Sequence, residues 1–139
     1  MPIQRWILKT EPSEYSFGDL QNKKRDTWSG VRNPLALKYL RSARAGDLAL
    51  VYHTGKEKSA VGIARIVGAP YPDPAAKDSN LTVVDLEPVR PLDHPVPLAE
   101  IKRNPKLKSL ELLRISRLSV SPVSREHWNI LMKMSGGEA

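Results

Sequence analysis

Arg5-Trp6-Ile7-Leu8-Lys9-Thr10, stopped by Glu11-Pro12, is the stretch on which the fold turns. Its aromatic and branched residues read as a strand, and the proline holds the residue before it out of the helical region. Downstream, Ser16 with Asp19 three residues later marks a short capped helix or turn running to about Gln21. Thr27-Trp28-Ser29-Gly30-Val31-Arg32 reads as a loop. It feeds Asn33-Pro34, an N-cap residue followed by proline at the first helical position. Leu35, Leu37, Tyr39, Leu40 and Ala43 give that helix an apolar face, and Gly46 ends it at about Ala45.

Four further strands are predicted over 47–53, 60–67, 81–89 and 118–123, with Pro122 assigning the last to an edge or bulge. The prolines of Ala69-Pro70-Tyr71-Pro72-Asp73-Pro74 predict an extended, exposed loop. Segment 97–113 reads as one or two short helices broken before Pro105. Ser124 caps a final helix that turns Trp128, Leu131 and Met132 to the core. Strands outnumber helices, without a strand–helix–strand rhythm. The expectation is one α+β domain over residues 1–139, with a mixed or antiparallel sheet curled toward a small barrel.

Composition bounds the chemistry. The chain has 139 residues, 40% apolar and 27% charged, the profile of an ordinary globular domain. It should bury roughly 68% of its unfolded surface, enough for a core without staples. Cysteine is absent, which excludes disulfides, thiolate metal sites and cysteine nucleophiles. No apolar run suggests a membrane span, and Met1-Pro2-Ile3-Gln4-Arg5-Trp6 lacks a signal-peptide pattern, so a cytoplasmic, non-membrane protein is expected. His53, His94 and His127 have no metal-ligand spacing, and there is no Walker, dinucleotide or Gly-x-Ser-x-Gly motif. The expectation is no metal and no cofactor. A monomer is expected.

Twenty-two Lys and Arg against fifteen Asp and Glu leave a net charge of +7. The surplus is clustered. Residues 21–45 carry seven cations, Lys23, Lys24 and Arg25 among them, against Asp26 alone, a net of +6. Residues 101–117 carry Lys102, Arg103, Lys106, Lys108, Arg114 and Arg117 against Glu111, a net of +5. Such runs are the footprint of a polyanion binder, because each phosphate contact releases counterions. Aromatics stand beside polar groups: Trp6 near Lys9, Trp28 near Arg32-Asn33, Tyr52 beside His53 and Tyr71 near Asp73. Bases are held between aromatic faces, with polar groups on their edges. Each residue also has a purely structural role open to it. Trp6 suits a core strand, Asn33 a helix cap, Arg32 a solvated surface and Tyr52-His53 the edge of a core.

Read together, these stretches resemble the EVE domain family. The resemblance runs from Trp6-Ile7-Leu8-Lys9-Thr10-Glu11-Pro12-Ser13-Glu14-Tyr15-Ser16-Phe17 through Trp28-Ser29-Gly30-Val31-Arg32-Asn33. It continues in Gly46-Asp47, Tyr52-His53, Val61-Gly62-Ile63-Ala64, the 69–74 loop and Arg117-Leu118-Ser119-Val120 with Pro122-Val123. It implies a PUA-like fold related to the YTH and ASCH domains, a small β-barrel with peripheral helices. It also implies a pocket that reads a modified nucleobase, a cytosine or adenine, in DNA or RNA. Carried over residue by residue, the pocket is Trp6, Lys9, Ser13, Trp28, Val31, Arg32, Asn33, Tyr52 and His53, with Ser119 beside them. The chain departs from the family pattern at Ser29, where an acid is common, and after Asn33, where Pro34-Leu35-Ala36-Leu37-Lys38 replaces an aromatic and polar run.

The mechanism expected is capture of one unpaired or flipped base. Trp28 or Trp6 would stack on it, Val31 would line an apolar wall, and Asn33, His53 or Ser13 would fix its edge. Lys23, Lys24, Arg25, Lys102 and Arg103 would hold flanking phosphates without sequence preference. The rival is a small hydrolase acting on a modified nucleoside or amide through Lys9 and Glu11. Strand alternation argues against it by sending Lys9 and Thr10 to opposite faces. A third reading is a protein adaptor built on the 70–74 loop.

Overall fold

The computed structural model describes residues 3–77, 81–114 and 118–136. Met1, Pro2 and Arg117 lie outside the described residues. Among these residues, seven strands and five α-helices follow in chain order. They are β1 (Arg5–Thr10), α1 (Phe17–Lys23), β2 (Asp26–Trp28), α2 (Pro34–Arg41), β3 (Leu48–His53), β4 (Ser59–Ile66), β5 (Tyr71–Pro72), β6 (Thr82–Pro97), α3 (Leu98–Arg103), α4 (Glu111–Arg114), β7 (Val120–Val123) and α5 (Arg125–Met134). A single 3-10 turn, Pro105–Leu107, separates α3 from α4.

The sheet is mixed. Its order is β2-β6-β4-β3-β1-β7, with β5 added to β6, and it curls into a half-barrel of PUA-like form. The quoted first strand lies next to the β7 edge, parallel to β3 with Trp6 beside Ala49 and Lys9 beside Tyr52. It is antiparallel to β7, where Trp6 meets Pro122. Pro122 therefore sits on an edge strand, the place where a missing N–H is tolerated.

Alternation along the strands divides the core in two. Trp6 and Leu8 of β1 and Ala49 and Val51 of β3 face α1 and α2, where they meet Phe17, Leu20, Ala36, Leu37 and Leu40. Ile7, Leu50 and Tyr52 face the other side, against Ile101, Leu112, Trp128, Leu131 and Met132 of α3, α4 and α5. Burial on both faces is why β1 and β3 read as nearly continuous apolar runs. Close approach also shapes the first layer. A Cβ on Gly62 would lie 2.5 Å from the Phe17 ring, so glycine there lets α1 seat on β4.

Ser16 caps α1 with a full capping box to Asp19, and Asn33 caps α2 by accepting from the N–H groups of Leu35 and Ala36. Ser124 caps α5 through the N–H of His127. Four expectations are corrected. The start of the 27–32 loop belongs to β2, a three-residue strand paired to β6 with Trp28 opposite Val84. α2 ends at Arg41 on Ser42, not near Ala45, and Gly46 at φ +93° serves the turn into β3. Tyr71 and Pro72 pair with β6 within the expected extended loop. β6 runs on to Pro97 instead of ending at 89, because two register shifts against β4 absorb its prolines.

Candidate functional site

A cleft of about 450 Å³ wraps the C-terminal end of β1. Its walls are Lys9, Thr10 and Glu11, then Glu14 and Tyr15 of the following turn. Lys23, Asp26, Thr27 and Trp28 stand opposite, Ser29-Gly30-Val31 form the next segment, and Ser119 closes the end.

The turn is built by the chain itself. The N–H groups of Glu14 and Tyr15 both donate to the Glu11 carbonyl at 2.9 Å. The Thr10 hydroxyl donates to the Tyr15 carbonyl at 2.7 Å. Glu11 in turn accepts from the Ser13 hydroxyl at 3.1 Å and from Thr54 at 3.4 Å. This holds the Tyr15 ring edge-on to Trp28, centroids 6.0 Å apart at 88°, a favoured aromatic geometry. Trp28 and Val31 are buried, and Gly30 between them adopts φ +83°, a turn that a side chain would strain. β2 is pinned in place from outside: Thr27 Oγ1 and the Tyr71 hydroxyl both donate to Asp85 Oδ1, at 2.9 and 2.7 Å.

The electrostatics centre on Asp26. Its Oδ2 accepts the Tyr15 hydroxyl at 2.6 Å and lies 3.4 Å from Lys23 Nζ, while Oδ1 accepts the Thr27 N–H at 2.8 Å. Burial by itself pushes this carboxyl up. The hydrogen bonds from Tyr15 and Thr27 and the Lys23 charge outweigh it, holding Asp26 below the ordinary carboxylate value. Burial, then the bond to Asp26, pushes the Tyr15 hydroxyl well up, so it remains a donor. Burial lowers Lys9. Two lysines and three carboxylates line the cleft, a local net of −1 in a protein of +7.

Lys9 also borders a second cavity of about 230 Å³, whose walls include Tyr52, Lys58, Leu98, Lys102 and Leu113. The two basic runs thus converge on Lys9, Lys23 from one side and Lys102 from the other. A third cavity of about 490 Å³, at the opposite end of β1, holds Arg5 and Arg125 but no aromatic residue.

Of the residues expected in the pocket, the fold brings Lys9, Trp28, Val31 and Ser119 to the cleft. Thr10 borders it with Lys9 despite strand alternation, because the cleft wraps the strand's end. Ser13 is exposed on the adjoining turn, bonded to Glu11. Trp6 is buried, and its indole N–H donates to Asp47 Oδ2 at 3.0 Å. Asn33 is spent on its cap, and Arg32 is exposed beside it. Tyr52 is buried at the second cavity. His53 is buried, accepting the Phe17 N–H at Nε2 and contacting Glu57 at Nδ1. Lys24, Arg25, Lys102 and Arg103 are exposed. Tyr15 and Asp26 are among the cleft residues that sequence reasoning passed over as chemistry. One signal was present, since Asp26 is the lone acid in the basic stretch 21–45.

Among the described residues no group of three or more His, Asp or Glu is placed to hold a metal. No described helix is long and apolar enough to cross a membrane.

Comparison with known proteins agrees with this architecture. The EVE domain family model matches residues 4–134. Human thymocyte nuclear protein 1 is 29% identical over 167 aligned positions, covering 96% of this chain and 74% of that protein. A Rhodopseudomonas palustris protein solved by NMR superposes with a TM-score of 0.91 at 39% identity, over 96% of this chain and 94% of its own. The human THYN1 protein, solved in complex with DNA containing 5-methylcytosine, superposes with a TM-score of 0.88 at 29% identity, over 98% of this chain and 99% of its own.

Proposed function

The chain belongs to the EVE domain family, and on that footing we propose that it is a nucleic-acid-binding module that reads a modified base. The base, a cytosine or adenine of DNA or RNA, enters the cleft at the end of β1 as a flipped or unpaired nucleotide. The module acts as a single domain, by binding and without metal, cofactor or turnover. The observation that carries this reading is the cleft itself. It sets the Tyr15–Trp28 aromatic pair and buried Val31 against a polar rim of Lys9, Asp26 and Ser119. The complex of human THYN1 with 5-methylcytosine DNA supports it.

The cleft's size falls within the roughly 300–1,000 Å³ typical of small-ligand sites. Extruding a base costs a few kcal/mol, least where it is already unpaired. Contact with one aromatic returns ~1–3 kcal/mol. A buried methyl adds roughly 0.8 kcal/mol, so the modification tips the balance more than it supplies the affinity. Affinity comes from phosphates held by Lys23, Lys24 and Arg25 on one flank and Lys102 and Arg103 on the other. In this reading Trp6, Asn33, Tyr52 and His53 serve the fold and do not touch the base.

The hydrolase reading loses ground to the same geometry. Thr10 spends its hydroxyl on the Tyr15 carbonyl, and Glu11 is engaged by Ser13 and Thr54. The experiment is equilibrium binding to short DNA and RNA strands carrying one plain or modified base. A preference for the modified base is expected, and uniform binding would overturn the proposal.

A further inference from the structure

We propose that Asp26 makes the cleft selective for bases that present an exocyclic amino group, against the keto bases thymine and uracil. The inference rests on the base-reading function above and adds the determinant of base class.

A site meant for phosphate would be basic, yet this cleft carries a net of −1 on a strongly basic chain. It suits a neutral group that donates hydrogen bonds. Cytosine and adenine donate from N4 and N6, whereas thymine offers the O4 acceptor.

Three carboxylates border the cleft, and they are not equivalent. Glu14 is exposed, and nothing among the described residues fixes its side chain. Glu11 faces Ser13 and Thr54. Asp26 is held on both oxygens, by a residue of the aromatic wall and by its own strand. A carboxylate offers about four acceptor positions. Tyr15 and Lys23 engage Oδ2 and the Thr27 N–H engages Oδ1, so one position on Oδ1 is left. The side chain remains 26% exposed and is part of the cleft lining. An amino group there gains a charge-assisted bond. A keto oxygen meets an ionised carboxylate that has no proton to offer it. Because Tyr15 both packs on Trp28 and donates to Asp26, stacking and edge reading are set by one side chain.

The test compares single-stranded DNA carrying 5-methylcytosine, cytosine or thymine at one position, which removes differences in unpairing cost. 5-Methylcytosine and thymine share the methyl group and differ at the Watson–Crick edge. The intact protein should prefer 5-methylcytosine to thymine by roughly 10- to 100-fold, the discrimination expected of one charge-assisted hydrogen bond. Asp26→Ala, which removes the acceptor altogether, should bring the ratio near one. Tyr15→Phe keeps the ring and loosens the carboxylate, so it should lower the ratio partway and carries the test if Asp26→Ala does not fold. Preference for 5-methylcytosine over cytosine with no discrimination against thymine would overturn this inference and leave base reading intact. An unchanged ratio in a folded Asp26→Ala protein would overturn it too. Equal binding of all three strands would instead sink the base-reading function on which it rests.

Discussion

The backbone N–H of Phe17 donates to His53 Nε2 at 3.0 Å, tying the start of α1 to the end of β3. A backbone N–H only donates, so Nε2 accepts and the proton resides on Nδ1, 2.8 Å from Glu57 Oε2. Both ring nitrogens are thereby used inside the protein. His53→Ala should cost about 1–3 kcal/mol of stability, since it strands a buried donor. The surviving folded protein should keep its base preference. Urea unfolding and a binding assay on the same variant check this, and loss of base preference at full stability would give His53 a direct contact.

Tyr15→Phe should lower stability by about 1 kcal/mol near neutral pH, through the lost bond to a partly exposed carboxylate. The pH dependence has a definite sign. Asp26 is depressed in the folded protein, so its contribution is complete above the ordinary value near 3.8 and drains away as pH falls through the folded value. Tyr15 is raised, so its contribution is complete below the ordinary value near 10 and is lost as pH climbs beyond it. The variant should therefore approach the parent at both extremes. A difference that stays constant from pH 3 to 11 would contradict the pairing.

Gly62→Ala should destabilise the fold by roughly 1–3 kcal/mol, the range for overpacking a filled site. The added Cβ falls 2.5 Å from a ring that α1 cannot easily withdraw. Thermal unfolding reads the effect, and an unchanged midpoint would mean that α1 is less firmly seated than its contacts indicate.

Lys24→Ala with Arg25→Ala should weaken binding to plain and modified strands alike. Each phosphate contact removed lowers the salt slope by about one. Binding titrations at four salt concentrations measure the slope. A change confined to the modified strand would place these side chains at the base instead.

Much of this was legible in the sequence because local signals and tertiary structure agree. Ser16, Asn33 and Ser124 announce three helix starts, and each caps the helix expected of it. The alternation of Trp6, Ile7 and Leu8 between two cores follows from a strand buried on both sides. β6 was only half visible. Pro88, Pro91 and Pro95 ordinarily end a strand, and only the register shifts against β4 accommodate them. The cleft was partly hidden for a different reason. Tyr15 and Asp26 are eleven residues apart in no common periodic element, so no pattern along the chain pairs them. Trp6 and Asn33 look the same in sequence whether they touch a ligand or another part of the protein itself. Only the bonds to Asp47 and to the α2 N–H groups show which partner each has.

The central claim is that the cleft reads a modified base, and the most direct measurement is equilibrium binding to strands with one central cytosine or 5-methylcytosine. It should be made at low and high salt, with the parent protein and Trp28→Leu, which keeps apolar volume and removes the ring. The account predicts a preference for the methylated base that survives high salt in the parent and disappears in the variant, leaving salt-sensitive background binding. Binding that is uniform across the strands and lost with salt would contradict it.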